Sequence, residues 1–316
     1  MAALATTALT SAASAQSEYP NHPIKLIVPF AAGGVVDVTA RLWADKVRSL
    51  LGTVVVENQG GASGSIGASE VVRSAPDGYT LLLGNTSTQI LNPGLMPRPP
   101  YDPAKDFVAI SIIAKSPIAI GVNPAIPAKN LTELVAYIKA NPGKMTYGSP
   151  GAGTFTNLAG EMFKQQAGVS DVTHIPYRGG GQSIADVVSG HIPMIMVTIT
   201  DYVVELHRTG KIRLVAVMTP QRMAILPDVP AAAETYPSLI AVLFLGVFAP
   251  AATPKTIVDR IAQANKAAIA SEDFKHKLTS SGFEPVLDTP EEAQRYILAE
   301  QVRIVSLVKS LGFKLQ

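Results

Sequence analysis

Three times in this 316-residue chain an apolar, β-branched run breaks into a glycine-rich turn that leads into an amphipathic segment with helical spacing. The turns read Phe30-Ala31-Ala32-Gly33-Gly34-Val35-Val36-Asp37, Tyr147-Gly148-Ser149-Pro150-Gly151-Ala152-Gly153-Thr154 and Tyr177-Arg178-Gly179-Gly180-Gly181-Gln182-Ser183. Strand-to-helix turns of this kind commit a chain to an α/β fold with a largely parallel sheet. They also create a place for a ligand. A parallel strand ends at the carboxyl edge of its sheet, and glycine lets the backbone come close to a bound group. The helix that follows offers unpaired N–H groups and the positive end of its dipole, a combination that holds an anion. Glycine in one such turn serves geometry alone. Three turns of the same build favour a shared site.

The remaining pattern agrees. Strands are expected at 24–30, 53–58, 79–85, 107–114, 145–148, 172–177, 194–199, 212–218 and 243–248. Helices are expected at 37–51, 65–74, 154–167, 182–189, 202–208, 254–270 and 290–311, and after Asn130. Asn130 with Glu133 and Thr289 with Glu292 read as capping boxes. Thr253-Pro254 reads as a further helix start. Asp37 reads as an N-cap, or as a partner for a ligand amine. Trp43 reads as core. Residues 118–135 echo residues 243–261: an apolar strand, a proline-containing loop, then a helix. A chain that crosses twice between two similar lobes would show such an echo. The expected lobes are 17–114 plus 242–316, and 115–241.

Composition closes several routes. Only 16% of residues are charged while 47% are hydrophobic, so the chain buries enough surface to fold. No apolar stretch approaches the ~20 residues of a membrane span. Cysteine is absent, and the formal net charge is +2 with both signs interspersed, which leaves no footprint for nucleic acid. Residues 1–16 are rich in Ala, Ser and Thr and end near Ala13-Ser14-Ala15, the A-x-A pattern of a secretory cleavage site. A basic start and a long apolar core are missing, as in the tail of a truncated signal. The competing reading is a plain Ala/Ser leader.

The type of anion follows from what the turns lack. No G-x-x-x-x-G-K-[ST] occurs. Ala62-Ser63-Gly64-Ser65-Ile66-Gly67 approaches G-x-G-x-x-G but has alanine in the first place. A carboxylate, held by backbone with little side-chain charge, suits these turns better than a phosphate. The five histidines form no H-x-H or H-E-x-x-H pair, and there is no G-x-S-x-G elbow, so neither metal, cofactor nor catalytic residue is expected. Asn85-Thr86-Ser87-Thr88 and Thr198 with Asp201 are candidate pocket linings at strand ends. A soluble α/β enzyme acting on an anionic small molecule is the alternative, resting on the same turns with Asp37 and the Ser/Thr cluster.

PFAAGGVVD after the first strand resembles the P-F-x-x-G-G-x-x-D signature of the substrate-binding receptors of tripartite tricarboxylate transporters, the Bug-type receptors. The likeness continues through VVVENQGGASGSIGASEVVRSAPDGYTLLLGN (54–85), YDPAKDF (101–107), ANPGKMTYGSPGAGTFTNLAGEMFKQQAG (140–168), HIPYRGGGQSIADVVSGHIPMI (174–195) and GKIRLVAVMTPQR…LPDVP (210–230). The resemblance implies a type II periplasmic-binding-protein fold, in which two lobes joined by two crossovers close on a small organic acid. It implies a pincer on one carboxylate, partly through water. The motif match places Phe30, Ala31, Ala32, Gly33, Gly34, Asp37, Thr86 and Ser87 at the ligand from one lobe. From the other it places Ser149, Gly151, Gly153, Thr154, Asn157, Tyr177, Gly179 and Gly180, to which Thr198 is added. One departure stands out. Many relatives carry Phe-Asp-Asn after the strand at 194–196, where this chain reads Val197-Thr198-Ile199-Thr200-Asp201. A less acidic wall suits a ligand without an amino group. The implied protein is a monomeric periplasmic receptor. It would deliver a dicarboxylate, aromatic or other organic acid to membrane transporter subunits by transient contact, or to a sensor.

Overall fold

Four of the five residues of strand β1 (Ile24–Val28) are buried, which requires cover on both faces, the situation of a parallel strand flanked by helices. In this computed structural model residues 19–312 are described, apart from 97 and 281; the leader expected at 1–16 lies outside them. Parallel to β1 run β2 (Val54–Asn58) and β3 (Thr80–Asn85). The later strands are β4 (Phe107–Val122), β5 (Thr146–Ser149), β6 (Thr173–Pro176), β7 (Met194–Thr198), β8 (Arg213–Val217), β9 (Val242–Pro250) and β10 (Glu284–Pro285). The helices are α1 (Val35–Leu51), α2 (Ser65–Val72), α3 (Asn92–Leu95), α4 (Pro103–Asp106), α5 (Leu131–Ala140), α6 (Phe155–Ala167), α7 (Gly180–Ser189), α8 (Asp201–Arg208), α9 (Lys255–Ala270), α10 (Glu272–Ser280) and α11 (Pro290–Leu311).

Strands pair in the order β2-β1-β3-β9-β4-β7-β5-β6, with β8 and β10 added on β4. β4 serves both ends of this path. Its residues 107–117 pair antiparallel with β9, and residues 118–122 with β7 and β8. Three parallel strands lie on each side, β2-β1-β3 and β7-β5-β6. The chain returns through β9, which lies antiparallel to β3 with Leu82 opposite Phe248. Two Rossmann-like lobes joined by two crossovers result. At the waist three segments are laced by backbone hydrogen bonds. Ile118 N–H donates to Ala241 O (2.9 Å), Ala241 N–H to Met218 O (2.9 Å), and Met218 N–H to Ile118 O (2.7 Å).

Local differences from the sequence reading have physical reasons. The strand expected at 107–114 runs on to Val122, because it changes sheets where Lys115-Ser116-Pro117 interrupts the apolar run. Pro117, with no N–H, sits at the last pair with β9. Gly34, not Asp37, is the N-cap of α1. α9 starts at Lys255 with Pro254 as its N-cap, and the buried Thr253 hydroxyl finds no hydrogen-bond partner among the described residues. α10 and the short α3 and α4 are helices beyond those expected from the sequence pattern. The capping box at α11 holds, with Thr289 and Glu292 capping reciprocally. At α5 only half of the expected box forms: Asn130 Oδ1 accepts from Glu133 N–H at 2.9 Å, but the Glu133 carboxylate accepts from Lys129 N–H, one residue earlier, and from the Asn130 side chain. Trp43 is fully buried, and its indole N–H donates to Asn265 Oδ1 of α9 at 2.8 Å.

Candidate functional site

The turn after β1 is fixed from behind by Asp37. Gly33 takes φ +81°, open to glycine at no steric penalty. Its N–H donates to Asp37 Oδ2 at 2.9 Å. Asn58 Nδ2 donates to Asp37 Oδ1 at 3.0 Å and to Phe30 O at 3.1 Å, and Arg41 stands 2.9 Å from the same carboxylate. Burial alone pushes the Asp37 carboxyl up; hydrogen bonds from Arg41, Gly33 and Asn58 and the Arg41 charge outweigh it and hold it low. Asp37 therefore stays ionised and serves the loop. Gly34 brings no side chain to cap α1, which leaves the first turn of that helix open toward the other lobe.

The turn after β5 is built likewise. Gly151 and Gly153 have φ of +155° and +73°. Ser149 Oγ donates to Gly151 O (3.1 Å) and lies 2.7 Å from His174 Nε2. Asn157 Oδ1 accepts from Gly153 N–H (3.0 Å), and Asn157 Nδ2 donates to Tyr147 Oη (2.7 Å). Burial, aided by Lys164 and opposed by Glu161, lowers the His174 imidazole to about 4. Thr154 caps α6. After β6, Gly179 is the N-cap of α7 without a capping side chain. Tyr177 Oη donates to Asp186 at 2.6 Å, and burial followed by that carboxylate pushes the phenol up to about 12. After β3, Asn85 Oδ1 accepts from Ser87 N–H (3.0 Å) and Thr88 N–H (3.1 Å), while Thr86 Oγ1 accepts from Phe244 N–H of β9.

These turns meet across the gap between the lobes. Phe155 N–H donates to Ser87 Oγ at 2.9 Å, and Ser63 Oγ donates to Ala152 O. A Cβ built on Gly179 would lie 2.9 Å from Ala31 Cβ, and one on Gly34 would lie 3.9 Å from Gly180 N. The lobes stand closed, and the cavity between them is about 50 Å³. Of the residues expected at the ligand, Phe30, Ala31, Gly33, Gly34, Ser87, Thr154, Gly180 and Thr198 line it. Ala32, Asp37, Thr86, Ser149, Gly151, Gly153, Asn157, Tyr177 and Gly179 are not in the lining; most brace the loops that are. The lining adds Val35, Val36 and Asn85, then Pro150 and Thr156 from the second lobe. Ser183 and Ile184 of α7, Met196 and Val197 of β7, Thr200, and Leu243 of β9 complete it. It includes no Asp, Glu, Lys, Arg or His. A roomier depression of about 700 Å³ lies beside α6, but Glu161, Lys164, Asp171 and His174 edge it and the glycine turns do not converge there.

This is the fold of the type II periplasmic binding proteins, with the glycine turns of two lobes facing each other over an uncharged cavity. The chain belongs to the Tripartite tricarboxylate transporter family receptor family, whose profile matches residues 39–313. It is 33% identical to Protein BugT of Bordetella pertussis over 99% of this chain and 96% of that protein. The structure of periplasmic binding protein BugD superposes with a TM-score of 0.89 at 32% identity, covering 94% of this chain and all of that one. A protein of R. palustris determined with adipate superposes with a TM-score of 0.90 at 31% identity, covering 94% and 99%.

Proposed function

We propose that this protein is a periplasmic receptor that closes on a small organic carboxylate and hands it to membrane transporter subunits by transient contact. The observation that carries the reading is the pair of uncapped first turns, of α1 and α7, lining one cavity from opposite lobes while no charged side chain enters it. Backbone N–H groups and helix dipoles then hold the acid. The adipate carried by a relative of the same fold supports this chemistry. In this reading Phe30, Ala31, Gly33, Gly34, Ser87, Thr154, Gly180 and Thr198 touch the ligand or its waters. Asp37, Ser149, Asn157 and Tyr177 position their loops. The lobe boundaries expected at 114/115 and 241/242 lie close to the change of β4 partners, which falls after Pro117 and moves the first boundary to 117/118. The protein acts as a monomer.

The distal wall narrows the ligand. An ammonium group buried among Ile184, Met196 and Leu243 would find hydroxyls but no carboxylate, and an unpaired buried charge is strongly disfavoured. The ligand carries no amino group. The Ser149–His174 pair does not make the site hydrolytic: Ser149 is fully buried, bonded to its own loop and absent from the lining.

The test is thermal unfolding of protein refolded to strip bound solute, with adipate, malate, benzoate, succinate, aspartate and glutamate. Saturating one of the acids without an amino group should raise the midpoint by roughly 5 °C. If none of the six does so, the receptor reading fails; if only the amino acids do, the wall assignment fails.

A further inference from the structure

Ala62 and Ser63 are the two non-glycine residues with positive φ among the described residues, at +45° and +55°. They sit in the loop between β2 and α2, the stretch that imitates a dinucleotide fingerprint. Gly60, Gly61 and Gly64 surround them, so the loop is rich in the residue that fits this conformation best. A serine at position 63 therefore stands where glycine would be easier. Asn92 Nδ2 donates to Ser63 O at 2.8 Å and holds that backbone in place. The Ser63 side chain makes one hydrogen bond, across the gap, to the carbonyl of Ala152 at the tip of the turn after β5. Ala152 lies between Gly151 and Gly153, the two residues that shape the tip. Ser63 does not line the cavity.

We infer that Ser63 is a positioning residue that latches the lobes: its hydroxyl holds the 151–154 turn over the cavity without touching the ligand. This rests on the receptor reading above. A latch of this kind changes the population of the closed form and not the contacts made to the acid, so apparent affinity changes by the same factor for every ligand. Wall residues do the opposite and change the ranking of ligands. The hydrogen bond and the backbone conformation are separable. Ser63→Ala removes the donor alone. Ser63→Gly removes the donor and eases the backbone. Ser63→Asn keeps a donor in a residue that tolerates positive φ.

Calorimetric titration of the full chain with each acid that stabilises the wild type is paired with small-angle scattering of the ligand-free protein. Ser63→Ala and Ser63→Gly should weaken binding of every acid by one common factor, about three- to tenfold. They should also increase the radius of gyration without ligand, and Ser63→Asn should restore both. Unchanged or tighter binding by Ser63→Gly, or losses that differ between acids, overturns the latch. If no acid binds the wild type, the receptor reading has failed; the scattering then decides the latch alone, an unchanged radius refuting it.

Discussion

The approach of Gly179 to Ala31 across the two lobes offers a sharp test of closure. Gly179 has an extended backbone, φ −179°, which any residue adopts, so Gly179→Ala leaves the separate lobes unstrained. In the closed form the added methyl would sit 2.9 Å from the Ala31 methyl, with Ala31 Cα and N next at 3.8 and 3.9 Å. Carbon atoms rest at about 3.5–4.0 Å, so the loops must part by about 0.6–1.1 Å. Ala31 Cβ is fixed to the backbone and cannot swing aside. Overpacking of this size costs about 1–3 kcal/mol, and here it falls on the closed form alone, a loss of about 5- to 150-fold in affinity. Ala31→Gly removes the opposing methyl. The double variant should therefore recover most of the loss, a double-mutant cycle with a large coupling between residues of different lobes. Titration calorimetry with a bound acid measures the four affinities, and urea unfolding of the ligand-free proteins should show little change. Wild-type affinity in Gly179→Ala, or no recovery in the double variant, refutes the closure geometry.

Three further outcomes are expected. Gly34→Val fits its backbone (φ −86°, ψ 170°), but its methyls fill the space beside Ala31 O and Gly180 N; binding should drop at least about tenfold by calorimetry, with the urea midpoint held. Asn265→Ala should lower stability by about 2–4 kcal/mol in urea titrations, because it leaves the buried Trp43 N–H without its acceptor and Ser111 without the Asn265 donor. His174, lowered to about 4 by burial first, stays neutral in the fold while the unfolded imidazole, at 6.5, takes up a proton. Its contribution is thus complete above pH 6.5 and lost as pH falls from 6.5 toward 4. The stability of the wild type relative to His174→Gln should decline across that window; a constant difference contradicts the shift.

Much of this was legible in the sequence because turns are written in residue type. Gly33, Gly151 and Gly153 occupy positive φ, and the β-branched runs before them are strands. Other parts were hidden. Asp37 is a good N-cap residue by type, yet it acts from the third position of α1 on Gly33, and only the fold shows which partner it takes. Met196, Leu243 and Ile184 look like core residues and indeed pack as such; they face the cavity because elements far apart in sequence, β7, β9 and α7, border the same cavity. β4 reads as ending at 114 because Lys115-Ser116-Pro117 interrupts the apolar run, and nothing local tells that the strand continues into a second sheet. Ser63 carries no signal at all: serine is ordinary in a loop, and its partner lies 89 residues away.

The course of β4 and β9 bears on the order in which this protein acquires structure. β3 and β4 follow one another in the chain but do not pair; β9 lies between them, and Leu82 meets Phe248 only once residue 248 exists. The first sheet thus has a gap at its centre throughout most of synthesis. Filling it demands contacts between distant parts of the chain, which form slowly. An incomplete sheet of this kind cannot close before β9 has been made. For a chain exported as the receptor reading proposes, that delay is an asset of the topology itself.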